Sequence, residues 1–512
     1  MLQIKNLTVT LRKDLRVIID NFSFVLNQGD KAVIVGEEGN GKSTLLKVIY
    51  DAVCGNNEAQ SYADIDGEIL FLGRKMGCLR QDMEGGEISA AAYFAQIEGF
   101  EDLAPWELLE AARELGLNAG IFDSTQLIST LSGGERVKIQ LARLLLEKPD
   151  VYLLDEPSND IDIETLEWLE RFINKSPIPV LYVSHDETLV ENTANTVIHM
   201  ELVRRKTTAR ATVARAGYRE YVDRREAALA KQTSRAKKEK EEHNAKMERY
   251  RRIEQSVTNK LDTISKADRD AAGRLLKKKM GTVKSMGRRF EREKADMTQL
   301  PDFEEEIFLK FDENLNLANG KTVLDFNLPL LEQGGRILAR DIALRVTGPE
   351  KICIVGKNGA GKSSLIKIIA GRLLERRDIQ AGYMPQDYED LLDISQNPIE
   401  FLAPSGVKAD VTKARTLLGS VKYTADEMSN AIGDLSGGQK GKLLLLKMIL
   451  NRAEVLILDE PTRNFSPLSN PVLRGVLKEF GGAIISVSHD RKFIDEVCDK
   501  VYVLTETGLE AR

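Results

Sequence analysis

The stretch "VIVGEEGNGKSTLLKVI" at residues 33–49 returns as "CIVGKNGAGKSSLIKII" at residues 353–369. In both copies the pattern GxxxxGK[ST] follows an apolar run typical of a buried strand and opens an amphipathic run typical of a helix. This context predicts a phosphate-binding loop, because glycines let backbone N–H groups surround phosphate oxygens and the helix N-terminus adds its dipole. A chance glycine-rich turn could explain one such match, but not two in the same context.

Three further segments are repeated in the same order and at similar spacing. The chain therefore uses one domain of about 200 residues twice. Short β-branched runs alternate with amphipathic stretches, which predicts an α/β fold with a mostly parallel sheet covered by helices. We place the first domain at 1–205, a linker at 206–300 and the second domain at 301–512. The repeated segments are "LSGGERVKIQLARLLL" (131–146) with "LSGGQKGKLLLLKMIL" (435–450), "VYLLDEPSND" (151–160) with "VLILDEPTRN" (455–464), and "VLYVSHDETLV" (180–190) with "AIISVSHDRKFI" (483–494).

The composition of the chain is that of a globular protein. Hydrophobic residues make up 42% and charged residues 30% of the 512 positions, which excludes wholesale disorder. No apolar run approaches the roughly 18 residues of a membrane span, and the N-terminus lacks the apolar segment of a signal peptide. The four cysteines are scattered and form no CxxC pair, so a disulfide framework or a zinc site is disfavoured and a reducing cytoplasm is expected.

The net charge of −6 hides a difference between the linker and its flanks. Residues 215–294 hold 25 Lys and Arg against 13 Asp and Glu, a net charge of +12, whereas the remainder of the chain carries −18. A basic segment between two acidic domains predicts contact with a polyanion.

Each phosphate loop supplies candidate ligands for a nucleotide. Lys42 and Lys362 would neutralise the β- and γ-phosphates, and Ser43 and Ser363 would hold Mg²⁺. The loop candidates are Gly36, Gly39, Asn40, Gly41, Lys42, Ser43 and Thr44 in the first copy, and Gly356, Gly359, Gly361, Lys362, Ser363 and Ser364 in the second.

The two "LDEP" segments are apolar strands that end in paired carboxylates. Asp155 and Asp459 are candidates to complete the Mg²⁺ shell. The adjacent Glu156 and Glu460 would orient or deprotonate an attacking water molecule. The alternative is a solvated carboxylate pair at a strand end, which the phosphate loops in the same domains argue against.

Histidine and glutamine also recur at matched positions. His185 and His489 both fall in "VSHD" after a strand, although the chain has only four histidines. A lone histidine at a strand end is usually structural, but this matched pair predicts contacts to the γ-phosphate. Gln81 in "LRQD" and Gln386 in "MPQD" lie between phosphate loop and "LSGG", where a polar contact to Mg²⁺ or water is expected.

"LSGGE" and "LSGGQ", each upstream of an "LDEP" segment, resemble the signature of ATP-binding-cassette ATPases, and the resemblance covers both flanks of the linker. It implies that the two cassettes of one monomer pair with each other and clamp each ATP between one phosphate loop and the other signature. The chain would then hydrolyse ATP to ADP and phosphate. One site would combine Lys42, Gln81, Glu156 and His185 with Ser436, Gly437 and Gly438, and the second would combine Lys362, Gln386, Glu460 and His489 with Ser132, Gly133 and Gly134.

Two cassettes joined by a charged linker, without a membrane span, resemble the ABC-F family. Its members act on ribosomes, as translation factors or as antibiotic-resistance proteins, so the resemblance implies rRNA and tRNA as partners. Transporter subunits need membrane domains, the iron–sulfur recycling type needs a cysteine-rich N-terminus, and SMC-like proteins split a single cassette, so these classes fit less well.

The chain departs from the family pattern at three places. No aromatic residue for stacking on adenine is evident in "LRKDLRVIID" or "LLEQGGRILAR", so the resemblance does not imply a strict preference for ATP over GTP. Similar spacing between glutamine and signature in both copies leaves no room for a large arm in the first cassette. The D-loop, "NHLD" in the family, is approximated by Asn159, Asp160, Ile161 and Asp162 but reads Arg463, Asn464, Phe465, Ser466 and Pro467 in the second copy. Contacts through that loop are therefore not implied, and the two sites are expected to be unequal.

The linker carries two apolar stripes at helical spacing, which predict an antiparallel helical hairpin with its tip near 258–267. Ser265 would cap the second helix. The first helix, from about Arg219 to Val257, would be on the order of 58 Å long, so the hairpin should project from a cassette whose radius of gyration is near 16 Å. The stripes are Tyr250, Ile253, Val257, Leu261 and Ile264, and Leu276, Met280, Val283, Met286 and Phe290.

The alternative to a hairpin is a charged, solvated linker, which needs neither stripe. Phosphate contacts to rRNA or tRNA are expected from Lys277, Lys278, Lys279, Arg288 and Arg289. The sequence thus predicts an ATP-dependent ribosome-binding protein that inserts its hairpin toward the peptidyl-transferase centre and confers antibiotic resistance by ribosome protection. A housekeeping translation factor is the first alternative, and an ATPase that remodels another acidic or nucleic-acid partner is the second.

Overall fold

A computed structural model describes residues 1–73, 75–80, 87–262, 272–295, 297–298, 310–311, 315 and 317–512. The chain divides into two compact units, one formed by Met1–Tyr218 with Glu304–Arg512 and the other by Arg219–Phe303. Both cassettes lie in the first unit, and the linker forms the second. Gln81, Ser265 and residues 263–267 of the predicted tip lie outside the described residues.

A parallel sheet forms the centre of the first cassette. Its strands are continuous apolar runs because helices cover both faces, and every residue of Lys31–Val35 and Val151–Asp155 is buried. The elements are β1 (Leu2–Leu11), β2 (Val17–Leu26), β3 (Lys31–Val35), α1 (Lys42–Cys54), β4 (Ala63–Phe71), β5 (Met76–Leu79), α2 (Ala90–Phe94), α3 (Pro105–Glu114), α4 (Gly133–Glu147), β6 (Val151–Asp155), α5 (Ile163–Lys175), β7 (Val180–Val183), α6 (Glu187–Thr193), β8 (Thr196–Leu202), α7 (Val203–Lys206) and β9 (Thr208–Ala214).

The six strands of this sheet have the order β5-β6-β7-β3-β8-β9, and β9 pairs antiparallel with β8. Because the carboxyl ends of parallel strands share one edge, the segments after β3, β6 and β7 meet there. Strand β9 continues the sheet beyond residue 206, where the sequence places the start of the linker. An antiparallel sheet of order β2-β1-β4 shares a hydrophobic core with β3 and α1.

Two antiparallel helices, α8 (Tyr218–Asp262) and α9 (Ala272–Ala295), form the linker unit. Lys246 Nζ lies 3.3 Å from Glu293 Oε2, and the rings of Tyr250 and Phe290 meet edge to face at 6.1 Å. From the first contact to the second, the residue number rises on α8, from Lys246 to Tyr250, and falls on α9, from Glu293 to Phe290. The two helices therefore run antiparallel, which confirms the predicted hairpin.

The apolar stripes of the hairpin are narrower than the sequence predicts. Val257, Val283 and Phe290 are buried, but Ile253 is 38% exposed. On a helix of 3.6 residues per turn, Tyr250 and Val257, which are seven residues apart, point in almost the same direction. Ile253 follows Tyr250 by only three residues and is therefore rotated toward the edge of the stripe. The side chains of Leu261, Ile264 and Leu276 lie outside the described part.

The second cassette has its own parallel sheet, whose strand Val455–Asp459 is also buried throughout. The elements are β10 (Thr322–Gln333), β11 (Arg336–Thr347), β12 (Lys351–Val355), α10 (Lys362–Leu374), β13 (Ala381–Met384), α11 (Pro398–Leu402), α12 (Lys408–Ser420), α13 (Ala425–Ser429), α14 (Gly437–Leu450), β14 (Val455–Asp459), α15 (Asn470–Lys478), β15 (Ala483–Val487), α16 (Arg491–Val497), β16 (Lys500–Thr505) and β17 (Gly508–Ala511).

The two cassettes share one topology. The second sheet has the order β13-β14-β15-β12-β16-β17, which matches the first sheet strand for strand and again ends in an antiparallel pair. This confirms the predicted fold class of two tandem cassettes. Within the described ranges, no helix has both the length and the apolar character needed to cross a membrane.

A cluster of ion pairs joins α15 and α16 to α6 away from the phosphate loops, with the cations in the second cassette and the carboxylates in the first. The pairs Lys13–Asp434 and Lys206–Glu427 have the opposite polarity. Arg474, only 2% exposed, lies 2.8 Å from Glu187, and Lys492 lies 2.8 Å from Glu187 and 2.5 Å from Glu191. Because a buried charge is costly without its partner, these pairs favour a permanently associated pair of cassettes.

Replacing Phe290 with alanine should loosen the hairpin, because its ring packs on Tyr250 and is buried. We expect a local loss of about 1–3 kcal/mol, measured as faster amide exchange of residues 246–257 in the full chain. Ile253→Ala is the matched control, since its side chain is exposed, and should leave that exchange unchanged. Equal effects of the two variants would contradict the observed packing.

Candidate functional site

Elements of both cassettes enclose a cavity of about 530 Å³ at the carboxyl edge of the second sheet, a volume in the range of small-molecule sites. The second cassette contributes the loop between β12 and α10 and the segments that follow β13, β14 and β15, and the first contributes the start of α4. The sequence predicts this pairing for its second site. The predicted residues that line the cavity are Ser132, Gly133, Gly134, Gly359, Gly361, Lys362, Ser363, Ser364, Gln386, Glu460 and His489, together with His185, which the sequence assigns to the first site.

The lysine of each phosphate loop folds back over its own loop. Lys42 Nζ donates to the carbonyls of Gly36 at 2.9 Å and Glu37 at 3.0 Å, and Lys362 repeats both distances in the second loop. A Cβ on Gly36 would lie 2.2 Å from the Met200 carbonyl, so only glycine fits where this loop passes β8. The two loops therefore share one backbone scaffold.

Serine and aspartate come together below each loop. In the first site, Ser43 Oγ donates to Asp155 Oδ1 at 3.0 Å. In the second, Ser363 Oγ donates to Gln386 Oε1 at 3.4 Å, and Asp459 Oδ1 is buried without a hydrogen-bond partner in the described part of the chain. Burial is the main cause that raises the pKa of each aspartate to about 6.

These oxygens fit Mg²⁺, which prefers carboxylate, hydroxyl and amide oxygens and usually takes phosphate oxygens from its substrate. An unpartnered buried carboxylate oxygen is the atom that a cation would satisfy. Over the described ranges, no group of three or more His, Cys, Asp or Glu could hold a metal ion.

The glutamate–histidine pairs of the two sites differ in geometry. His185 Nε2 lies 3.0 Å from Glu156 Oε1, whereas His489 Nε2 lies 3.9 Å from Glu460 Oε1. Both glutamates have a left-handed backbone, with φ of 49° for Glu156 and 52° for Glu460, which non-glycine residues adopt at a cost. The shared backbone aims both carboxylates alike, so the difference lies in their partners.

The charges of the two pairs differ as well. Burial alone would raise the pKa of Glu156, but His185 holds it below its ordinary value, and Glu156 in turn raises the pKa of His185 against the effect of burial. Burial and Asp459 raise the pKa of Glu460 to about 8, and burial lowers the pKa of His489 to about 4. At pH 7 Glu156 is charged beside a histidine whose pKa is raised, whereas the second pair is largely neutral.

The D-loop of each cassette reaches the other cassette, which corrects the expectation for the second copy. Arg463 Nη2 lies 3.0 and 3.1 Å from the two carboxylate oxygens of Asp160, and the Phe465 carbonyl lies 2.8 Å from His185 Nδ1. From the other side, Asn358 Nδ2 donates to the Asp160 carbonyl at 2.5 Å. Arginine thus replaces the family pattern with a cross-cassette ion pair.

The signature serines cap their own helices. Ser132 and Ser436 each accept a hydrogen bond at 3.3 Å from the backbone N–H three residues further on. The glycines behind them allow close approach of the D-loop of the same cassette, since a Cβ on Gly438 would lie 2.7 Å from the Asn464 carbonyl. The hydroxyls are thus engaged locally, and the backbone amides face the other cassette.

Two residues that the sequence prediction did not include lie in the first phosphate loop. Glu38 Oε2 accepts a hydrogen bond from the Gly438 N–H at 2.5 Å, and Glu37 is buried against the second cassette. A position-by-position comparison of the two loops would have found them, because the second loop has Lys357 and Asn358 there.

Three predicted loop residues have partners in their own cassette or helix. The Asn40 side chain is 2% exposed and donates to the Met200 carbonyl at 3.0 Å, so it braces the loop. Ser364 Oγ donates to Gln333 Oε1 at 2.9 Å, and Thr44 is half-buried in the first turn of α1.

The residues beside the phosphate loops, where adenine would stack, are aliphatic. In the first cassette the Ile18 side chain would lie 3.1 Å from a Cβ on Gly41, and in the second Leu331 and Leu338 would each lie 2.9 Å from a Cβ on Gly361. This agrees with the absence of an aromatic residue in those sequence stretches.

The sequence profile of the ABC transporter family matches residues 19–159 and 339–463, together more than half of the chain. The chain belongs to the ABC transporter family. It is an ATPase with two cassettes. An ATP-binding protein of Bacillus subtilis, YdiF, is 27% identical over 100% of this chain and 81% of its own length. ABC transporter F family member 2 of Arabidopsis thaliana is 24% identical over 96% of this chain and 75% of its own.

Solved structures share the fold at low sequence identity. An archaeal ribosome recycling factor, aABCE1, in complex with the ribosomal stalk protein aP1, superposes with a TM-score of 0.57. It is 17% identical, and the match covers 99% of this chain and 90% of that one. An RNase-L inhibitor gives a TM-score of 0.54 at 17% identity, over 95% of this chain and 87% of that one.

The chemistry of this ABC ATPase follows from its residues. Bound ATP with Mg²⁺ supplies the reactive phosphoanhydride. Lys362 would neutralise phosphate charge, and Ser363, Gln386 and Asp459 would hold the cation. Glu460, on its strained backbone, would orient the water molecule.

Single substitutions of the two glutamates should shift thermal stability in opposite directions at pH 7 in metal-free, nucleotide-free buffer. The pKa of the Glu460 carboxyl is raised in the folded chain, so the free energy of unfolding falls as the pH rises from about 4.5 toward 8. The glutamine of Glu460→Gln stays neutral and should therefore raise the melting temperature at pH 7. Glu156→Gln should lower it, because it leaves His185 without its charged partner.

Differential scanning calorimetry of the full chain measures both shifts, which we expect to be several degrees. At pH 4.5 most of the gain from Glu460→Gln should disappear, because the folded wild-type carboxyl is then neutral and the unfolded one is only about half ionised. Shifts of the same sign in the two variants would contradict unequal pairs.

Proposed function

We propose that this chain is a ribosome-binding ABC-F ATPase of the cytoplasm, which inserts its linker hairpin toward the peptidyl-transferase centre and protects the ribosome from antibiotics. The single observation that carries this proposal is a basic helical hairpin between two complete cassettes. ATP binding would close the cassettes and commit the hairpin to the ribosome, and hydrolysis would release it.

The dimensions of the hairpin support a reach into a large assembly. Helix α8 runs for 45 residues, about 68 Å at 1.5 Å per residue. A flexible tether between domains needs neither a helix of this length nor a second helix packed along it. Buried Val257, Val283 and Phe290 stiffen the pair.

The charges of the hairpin support an RNA partner. Many cations on α8 are neutralised within the helix, as in the pairs of Arg235 with Glu239 and Arg252 with Glu248. On α9, Lys278 is exposed and has no ion pair in the part of the chain that the structure describes, and the same holds for Lys279, Lys284 and Arg288. Unpaired cations on a rigid helix are suited to phosphate contacts.

The relatives support the same partner. The recycling factor aABCE1, similar in fold, was solved in complex with a ribosomal stalk protein, and another similar structure is a ribosome-bound ABCE1 with a TM-score of 0.54. The F-family relative of Arabidopsis thaliana aligns with 96% of this chain.

Two alternatives remain distinct from the proposal. A housekeeping translation factor would use the same hairpin on tRNA and the ribosome without changing antibiotic susceptibility. A cassette ATPase that remodels another nucleic-acid or acidic partner would need the basic α9 but not the ribosome. The lack of room for an arm in the first cassette favours resistance over housekeeping.

The variant Glu156→Gln/Glu460→Gln should co-sediment with ribosomes when ATP is present, because it binds nucleotide without hydrolysing it. Adding Lys278→Glu and Lys279→Glu to this variant should reduce the ribosome-bound fraction and its dependence on salt. The measurement is the pelleted fraction after centrifugation through a sucrose cushion, with ADP in place of ATP as the control.

If the Glu156→Gln/Glu460→Gln variant stays in the supernatant when ATP is present, the ribosome is not the partner. If it pellets but the lysine substitutions have no effect, the contacts of α9 with RNA are wrong.

Substituting residues 259–264, at the predicted tip, should abolish protection against drugs of the peptidyl-transferase region while sparing ATP hydrolysis and ribosome binding. The measurement is an antibiotic susceptibility panel in a sensitive host that expresses each variant. The matched control replaces the exposed residues Glu241, Glu242, Asn244 and Ala245 of α8 and should retain protection. Wild-type expression without any change in susceptibility would favour the housekeeping role.

A further inference from the structure

Matched positions of the two phosphate loops carry opposite chemistry. Glu37 and Glu38 of the first loop correspond to Lys357 and Asn358 of the second. Carboxylates are poor neighbours for a triphosphate, because like charges at contact distance repel each other. Their contacts in the structure explain what they bind instead.

Glu37 is a buried contact between the cassettes, with 9% of its surface exposed. Its Oε1 accepts hydrogen bonds from the hydroxyls of Ser466, at 2.7 Å, and Ser469, and its Oε2 lies 3.4 Å from Lys442 Nζ. All three partners belong to the second cassette. Burial alone would raise the pKa of Glu37, but Lys442 and the two serines lower it to about 2, so the carboxylate is charged and paired at physiological pH.

The D-loop of the second cassette carries a hydrogen-bond donor, Ser466, at the position that contacts Glu37. Its Ser466 corresponds to Asp162 in the first copy, where the carboxylate accepts a hydrogen bond from the Thr165 N–H at 3.0 Å and caps its own helix. An aspartate at position 466 would place a second carboxylate against Glu37, whereas the serine hydroxyl donates to it. The departure from the family pattern at this position therefore compensates for the acidic loop.

Glu38 lies at the signature of the second cassette. Its Oε2 accepts a hydrogen bond from the Gly438 N–H at 2.5 Å, and a Cβ on Gly437 would lie 3.1 Å from the same oxygen. These glycines are the ones expected to face a γ-phosphate. In the second site the matched residue is Asn358, whose neutral amide donates to a D-loop carbonyl.

We propose that the first composite site is a joint held closed by Glu37 and Glu38, and that only the second composite site takes up a nucleoside triphosphate with high affinity and opens and closes with it. In the first site the Glu38 carboxylate occupies the place at the signature that the γ-phosphate of a bound triphosphate would otherwise take. His185, tied to Glu156 and to the Phe465 carbonyl, belongs to the same closed interface.

The stoichiometry of nucleotide binding tests this inference. Titration calorimetry of the full chain with the non-hydrolysable analogue AMP-PNP and Mg²⁺ should give one high-affinity event per chain. Glu37→Gln/Glu38→Asn should add a second event, and retention of the first event shows that this variant is folded. The matched variant Lys357→Glu/Asn358→Glu should weaken the single event at least about tenfold.

Two wild-type events with affinities within about tenfold of each other would overturn the inference. A loop variant that still shows one event would also overturn it, because Glu37 and Glu38 would then not be what closes the site.

Amide exchange measures whether the first composite site is closed, independently of nucleotide affinity or hydrolysis. In the nucleotide-free wild type, the signature and D-loop of the second cassette, residues 437–441 and 463–469, should already be protected, and AMP-PNP should leave their exchange unchanged. AMP-PNP should instead protect the signature and D-loop of the first cassette, residues 133–137 and 159–165. Glu37→Gln should speed exchange in 463–469 by about tenfold or more, because Lys442 loses its buried partner. Equal protection of both interfaces by AMP-PNP would contradict the inference. No ribosome enters either experiment, so the outcome is independent of the proposed function.

Discussion

Neither cassette of this chain builds a nucleotide site alone, because each phosphate loop faces a signature helix that belongs to the other cassette. In the second site, a Cβ on Gly134 would lie 2.3 Å from Asn358 Nδ2, and in the first, the Gly438 N–H donates to Glu38. Such contacts require glycine on one side and a fixed loop on the other. The positions of the D-loops, the capping serines and the strained glutamates all follow from this requirement.

The same geometric requirement is met with different chemistry at the two interfaces. The first uses fixed charges of the protein, with Glu37 inside the second cassette and His185 paired with Glu156. The second contains the buried Asp459 Oδ1, which has no partner among the described residues. A charge buried with its partner stabilises a closed interface permanently, whereas an unsatisfied group makes closure depend on what binds. Sequence duplication has thus given two sites with one backbone and two electrostatic states.

Charge separates the functions of the other parts as well. Between the cassettes, Arg474 and Lys492 of the second pair with Glu187 of the first, so these charges stabilise the assembly. On α9, Lys278, Lys279, Lys284 and Arg288 are exposed. The chain as a whole has a net charge of −6, and residues 215–294 carry its excess of basic residues.

Much of the fold and the residue types of both sites follow from the sequence alone. Strand, loop and helix succeed each other within about 20 residues in each motif, so local chemistry fixes Lys42, Asp155 and their counterparts at the edge of a parallel sheet. Helical spacing likewise predicts the hairpin, although Ile253 lies outside its buried seam. What the sequence could not decide is which site is closed by the protein. That depends on Glu37 meeting Ser466, Ser469 and Lys442, residues more than 400 positions away, and on a His–Glu distance of 3.0 Å rather than 3.9 Å. Short-range patterns determine which groups are present, and only the packing of one cassette on the other determines which of them are satisfied, because burial and partner distance set their charge.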